Sequence, residues 1–247
     1  MTCKAEKILP YTNDNTPKGV QIKKMFDAIS QRYDLLNHTL SFGLDCYWRK
    51  KGILSLKNVS PKTILDIATG TGDLALSAYR LLQPEHITGI DISDKMMQIG
   101  QEKASRAGLS GKIDFNKQDC MQLTFADNSF DAAMVAFGVR NFENLDKGLQ
   151  EILRTLRPGG KLMILELSSP EHFPMKQAYG FYSMTIIPLI GRIVSGNKPA
   201  YRYLIRSIEA FPQGDRMKVI LEKNGFCDVE YKKLTFGVCT LYSAYKR

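Results

Sequence analysis

Ile64-Leu65-Asp66-Ile67-Ala68-Thr69-Gly70-Thr71-Gly72-Asp73 reads as a buried strand, a tight glycine turn and the start of a helix. Nineteen residues beyond Gly72, a second apolar run, Ile87-Thr88-Gly89-Ile90, ends in Asp91. Strand, glycine turn, helix, strand and acid form the layout of a nucleotide-binding βαβ unit. Gly70 and Gly72 lack a Cβ, so the backbone can turn sharply and lie against a ligand. The Asp91 carboxylate is an acceptor suited to a ribose diol. The expected ligand carries an adenosine.

Outward from this unit the alternation continues. Strands are expected at 63–68, 86–91, 112–118, 130–137 and 161–167, with helices at about 73–82, 94–107 and 143–156. Ser93 suits an N-cap and Gly108 a helix stop. Pro158-Gly159-Gly160 is expected to end the helix at 143–156. Strands alternating with helices imply an α/β fold with a mostly parallel sheet and right-handed crossovers. Residues 226–235 and 238–246 read as a terminal antiparallel pair at one sheet edge, after a helix at about 213–224. Upstream, Ile22, Met25, Phe26, Ile29 and Tyr33 recur at helical spacing, and a second helix is expected at 44–56. Residues 1–17 read as a flexible tail and 18–247 as one domain. That domain has N-terminal helices at 18–60 and an aromatic, proline-containing insertion at 169–212.

The chain has 247 residues, and its charge balance of 34 − 25 = +9 suits nucleic acid or an anionic membrane surface, or plain solubility. Five cysteines, with no CxxC, argue against a disulfide framework and a zinc site, so no metal is expected, and they suit a reducing cytoplasm. The polar first residues lack a signal-peptide core, and no apolar stretch is long enough to span a bilayer. An Asn/Asp-Pro-Pro-aromatic motif and a Pro-Cys pair are both missing, which counts against base methylation of nucleic acid.

Gly70-Thr71-Gly72-Asp73-Leu74-Ala75 also fits the dinucleotide fingerprint, so the glycines alone leave two ligand classes open. The chain resembles class I methyltransferases in three further features. Asp66 sits inside the first strand, Asp119 and Cys120 follow the third, and a terminal hairpin reverses the last strand of a seven-stranded Rossmann-like sheet. This resemblance implies S-adenosyl-L-methionine, with Asp66 organising the loop at its amino-acid end and the Asp119 region holding the adenine. A NAD-binding module is the rival reading.

A narrower resemblance rests on Tyr33-Asp34-Leu35-Leu36-Asn37, Ser41-Phe42-Gly43, Trp48-Arg49, Phe137-Gly138-Val139-Arg140-Asn141, Glu166-Leu167-Ser168-Ser169-Pro170 and Tyr201-Arg202-Tyr203-Leu204-Ile205-Arg206. From about residue 20 onward the chain is similar to the ubiquinone/menaquinone biosynthesis C-methyltransferase family. The resemblance implies methylation of a ring carbon of a prenylated demethylmenaquinol, or of a benzoquinol of the ubiquinone pathway. It puts cofactor contacts on Thr71, Asp91, Asp119 and Cys120. Many members of the family carry His at the position of Asp45, so a base assigned to that His does not transfer unchanged; the alternatives are that Asp45 substitutes for it or that the position is structural.

Given such a substrate, Arg140, past the fourth strand, is suited to stabilise a phenolate, and Asn141 to orient the other oxygen. The alternatives are a loop-closing salt bridge for Arg140 and a turn role for Asn141. Tyr201 and Tyr203 are candidates for the ring pocket, or for core packing. His38 reads as structural. The insertion, with Ile186-Ile187-Pro188-Leu189-Ile190, is expected to act as an apolar lid, a peripheral contact at the inner face of the membrane, or an oligomer face.

Overall fold

The computed structural model describes residues 3–186 and 198–247. Its centre is a seven-stranded sheet in the order β3-β2-β1-β4-β5-β7-β6. The strands are β1 (Thr63–Ile67), β2 (His86–Asp91), β3 (Ile113–Lys117), β4 (Phe130–Ala136), β5 (Leu156–Leu167), β6 (Cys227–Leu234) and β7 (Cys239–Tyr245). The β1 to β5 pairings are parallel, whereas β7 runs antiparallel to both β5 and β6. The reversed edge expected from the terminal runs is therefore present. Order reverses between β1 and β4, so the crevice at their carboxyl ends is where this topology receives ligands.

The helices in chain order are α1 (Lys18–Ile29), α2 (Tyr33–Ser41), α3 (Leu44–Ser55), α4 (Asp73–Leu82), α5 (Asp94–Arg106), α6 (Leu145–Thr155), α7 (Met175–Phe181), α8 (Lys198–Ala210) and α9 (Asp215–Lys223). Ser93 caps α5 by accepting from the Met96 N–H, as its position predicts. Asn144 caps α6 in the same way through Lys147. One boundary differs from expectation. Helix α6 ends at Thr155 and β5 begins at once, so Pro158-Gly159-Gly160 lies within the strand. There the β4–β5 register slips between Phe130 and Ala132, and this bulge absorbs the turn residues.

The N-terminal residues also differ from a flexible tail. Ala5 is buried in the main core, Glu6 accepts from the Leu145 N–H, and the Tyr11 N–H donates to Gln21. Lys18, 4 % exposed, donates to the carbonyls of Ala5, Arg140 and Phe142. One buried ammonium thus ties the start of the chain to the turn after β4, and burial pushes it down to about 8. In the 169–212 insertion, α7 continues into a π-helical turn, Tyr182–Ile186. Of the apolar run 186–190, all but Ile186 falls outside the described residues.

Candidate functional site

The glycine turn is built by left-handed backbone. Ala68, Gly70 and Gly72 have φ of 53°, 57° and 77°. Asp91 fixes the turn from the next strand, accepting from the Gly70 N–H at 2.9 Å and the Ser93 N–H at 2.8 Å. Gly70, Asp91, Asp119, Cys120 and Asn141 all line one cleft of about 610 Å³, a volume within the range of small-molecule sites. Burial raises the Asp91 carboxyl and the Cys120 thiol, so the thiol stays protonated.

Beneath the glycine turn, Asp66, Gly70 and Thr71 line a smaller recess with Arg49 and Tyr33. Asp66 is 1 % exposed; its Oδ2 accepts from Thr69 at 2.6 Å, while its Oδ1 has no partner. Burial pushes this carboxyl up to about 7, helped by the neighbouring Asp91 and opposed by the Thr69 hydrogen bond. Thr71 donates to Asp34 at 2.5 Å, and Asp34 and Asp73 share Lys103. Gly72 lines none of these cavities. A Cβ there would meet Phe115 at 2.9 Å, so this glycine serves packing behind the turn.

A second cavity, about 120 Å³ and mostly apolar, shares the walls Phe26, Tyr33 and Phe137 with the large cleft. Tyr201, Tyr203 and Arg140 line it, whereas Asn141 belongs to the neighbouring cleft and reaches across by accepting from the Tyr203 hydroxyl at 2.9 Å. Both readings of Arg140 hold together. Its Nη1 pairs with Glu166 at 2.6 Å and donates to the Phe137 carbonyl at 2.5 Å. Burial disfavours the charge, but Glu166 more than offsets this and holds the guanidinium in its charged form. Phe137, whose carbonyl is gripped in this way, has a φ of 59°, a strained conformation for a bulky residue.

Four buried side-chain polar atoms among the described residues lack a hydrogen-bond partner: Asn37 Nδ2, Asp45 Oδ2, Asp66 Oδ1 and Arg140 Nε. Asn37, Asp45 and Arg140 line the apolar cavity, and Asp66 lines the recess. Asp45 Oδ2 is ion-paired with His38 and Arg49, but buried polar atoms are rarely left unmet, so those of Asn37, Asp66 and Arg140 are candidates for ligand contacts. The sequence does not point to Asn37, and it brings in Asp45 only as a replacement for the family's histidine or as a structural position. Asn37 shares a helical face with Tyr33, Leu36 and Leu40, and a polar residue on such an apolar stripe is the signal that would have found it. His38, read as structural, pairs its Nδ1 with Asp45.

An adenosyl sulfonium ligand fits these groups. The orphaned Asp66 oxygen is an acceptor for its ammonium, Asp91 offers carboxylate oxygens to a diol, and the open glycine turn leaves room for the chain between. His38, Asp45 and Cys46 bring three metal-ligand atoms within 4.8 Å of one another, but Arg49 stands 2.9 Å from Asp45 and its positive charge opposes a cation.

Comparison with known proteins agrees with this geometry. Residues 13–246 match the ubiE/COQ5 methyltransferase family. The chain is 54% identical over 241 residues to a demethylmenaquinone methyltransferase of Bacteroides fragilis, covering 98% of each chain. It is 41% identical to a ubiquinone/menaquinone biosynthesis C-methyltransferase UbiE of Geotalea daltonii, covering 94% of this chain and 98% of that one. Among solved structures, an S-adenosylmethionine-dependent methyltransferase from Aquifex aeolicus superposes with a TM-score of 0.54 at 19% identity, covering 74% of this chain and 81% of that one. The [4+2]-cyclase SpnF superposes with 0.67 at 18% identity, covering 92% and 96%. The fold therefore extends to a protein of different activity, and function has to be argued from the site.

Proposed function

The chain belongs to the ubiE/COQ5 methyltransferase family, and on that premise we propose that it transfers the methyl group of S-adenosyl-L-methionine to a ring carbon of a prenylated demethylmenaquinol. The observation that carries this reading is the apolar cavity with unmatched polar atoms beside the adenosyl cleft. A quinol presents a flat apolar ring and two oxygens, and a cavity of aromatic walls with a few unmatched donors and acceptors complements both. The identity to the Bacteroides fragilis enzyme supports the naphthoquinol. The Geotalea daltonii relative, whose name includes ubiquinone, keeps a benzoquinol as the second reading.

In this reading Asp66, Gly70, Thr71, Asp91, Asp119 and Cys120 surround the cofactor, with Gly72 supporting the turn. The cofactor supplies an electrophilic methyl on sulfur. The ring carbon becomes nucleophilic as a hydroxyl ionises, so the substrate is the reduced quinol. Arg140, charged and pre-positioned by Glu166, stabilises the developing oxyanion. Asn141 and Tyr203 fix the partition between the two ligands, and Tyr201 and Tyr203 flank the ring. Holding both reactants in line supplies much of the acceleration.

Among the described residues no helix is long and apolar enough to cross a membrane. Leu35, Phe42, Phe181 and Met184 are nevertheless exposed, on the elements whose other residues, Leu36, Leu40, Tyr179 and Tyr182, line the apolar cavity. With the net charge of +9, they suit a cytoplasmic enzyme that meets the inner membrane face and leaves the prenyl tail in lipid. An oligomer face over the same side chains is the rival. The test is labelled methyl transfer to demethylmenaquinol and to the ubiquinone precursor, in detergent with a reductant. No transfer to either, by folded protein that binds the cofactor, overturns the proposal. Transfer to the benzoquinol alone selects the second reading.

A further inference from the structure

Lys18 opens α1 and is almost fully buried. Its ammonium has three N–H groups and meets three carbonyls, those of Ala5 at 2.9 Å, Phe142 at 3.1 Å and Arg140 at 3.3 Å. The last two belong to the turn after β4 that carries Arg140 and Asn141. Glu166 grips Arg140 from the other side, accepting from its backbone N–H at 3.2 Å as well as from its guanidinium. The same region is tied to α1 a second time, because the Gly19 N–H donates to Glu143 at 3.2 Å.

Helix α1 is also a wall of the large cleft, through Gly19, Val20, Ile22, Lys23 and Phe26. Further along, it is fastened to the start of α5. Asp27 accepts from the Ser93 hydroxyl at 2.5 Å, and Lys23 lies 3.1 Å from Asp94. One helix is thus tied to the segments that follow β4 and β2. Strand β1 lies between those two strands, so α1 passes over the glycine turn and roofs the cleft.

We propose that Lys18 is a positioning residue for methyl transfer: its ammonium sets the place of Arg140, and because it stands on α1 it links that place to the roof over the cofactor. The proposal rests on the reading that Arg140 faces the ring oxygen of a quinol. Lys18 itself lines neither the cleft nor the apolar cavity. It acts through the Arg140 and Phe142 carbonyls, which fix the backbone from which the guanidinium extends. Without it, Glu166 holds Arg140 from one side alone. A shift of about 1 Å in a positioning group can cost about 100-fold in rate, so a tether remote from the reacting atoms has a kinetic effect. A cofactor that holds α1 down over the cleft also steadies the turn that the quinol meets.

The test compares wild type, K18M and E143A, each also in an R140K background, with demethylmenaquinol at saturating cofactor. Amide hydrogen exchange over residues 137–143 is followed with and without S-adenosylhomocysteine, a measurement that needs no quinol. K18M should lose about 10- to 100-fold in kcat. That loss should shrink to about 3-fold or less in R140K, where the guanidinium whose place it sets is already gone. A merely structural tether would cost the same in both backgrounds. E143A alters an exposed side chain and folds even where K18M does not. It should show a smaller loss with the same shrinkage. S-adenosylhomocysteine should slow exchange by about 5-fold or more in wild type, and by less in both variants. Equal rate losses in the two backgrounds, unchanged rates in K18M and E143A, or exchange slowed equally in all three proteins overturn the proposal. No transfer by wild type that binds S-adenosylhomocysteine instead overturns the substrate reading, and the exchange measurement still decides the link between α1 and the turn.

Discussion

Arg140 and Glu166 form a 2.6 Å ion pair in which neither side chain keeps more than 7% of its surface exposed. A pair so enclosed does not act as a surface salt bridge. Removing one member strands the other charge, at a typical cost of about 3–5 kcal/mol. Arg140→Ala should therefore lower both stability and kcat, with cofactor affinity less affected than turnover. Arg140→Lys keeps the charge but not the planar guanidinium whose Nη1 meets both Glu166 and the Phe137 carbonyl, so it should recover more stability than rate. Urea midpoints beside kcat measure both, and an intact kcat in the Ala variant would remove Arg140 from the chemistry.

Asp91 belongs to the proposed cofactor site. Its two oxygens already hold the Gly70 and Ser93 N–H groups. Asp91→Ala should weaken S-adenosyl-L-methionine by about 10- to 100-fold, as expected for losing roughly 1.5–3 kcal/mol of hydrogen bonding to a charged group. Isothermal titration is the direct measurement. Unchanged binding would move the ribose contact elsewhere.

The pH dependence of the free protein should carry the signature of Asp66. Burial pushes its carboxyl up to about 7 from an ordinary 3.8. Between those values the folded chain binds more protons than the unfolded one, so stability falls as pH rises from about 4 to about 7, and this contribution is intact below 4. Asp66→Asn should flatten that slope by a few kcal/mol, seen in denaturant midpoints at pH 5 and pH 8. The cofactor's ammonium favours the ionised carboxylate, so cofactor affinity in wild type should rise across the same window and fail to do so in the variant.

Phe115 packs where three glycines leave space. A Cβ at Gly72, Gly89 or Gly100 would stand 2.9, 3.2 or 2.7 Å from its ring. Gly100→Ala, which keeps a helical residue helical, should cost about 1–3 kcal/mol through overpacking. Phe115→Leu in that background should return part of the loss. A thermal double-mutant cycle without coupling would show that the helix shifts instead.

The sheet was legible because β1, β2, β4 and the end of β5 are largely apolar runs, while β3 alternates Ile113 and Phe115 with polar residues, and the glycine turn and Asp91 announce the cofactor side. The cavity was harder to read. Asn37 and Asp45 stand on separate helices and come to line one cavity only when α2 folds back against α3, a tertiary event with no local period. Asn141 was placed with the ring, yet the turn at Val139–Asn141 directs it into the neighbouring cleft. The β5 start was missed because a bulge can take up Pro158-Gly159-Gly160 without ending the strand.

Phe137 belongs to the wall of both spaces, and its carbonyl is held by the residue assigned to the oxyanion. Two ligands that press on one strained residue are thermodynamically linked. Whatever filling the cleft does to the ring of Phe137 alters the affinity of the cavity, and by linkage the effect is reciprocal and equal in free energy. Cooperativity between cofactor and quinol should then run through the shared walls Phe26, Tyr33 and Phe137, and it should change with the size of side chain 137 rather than with the charges on either side.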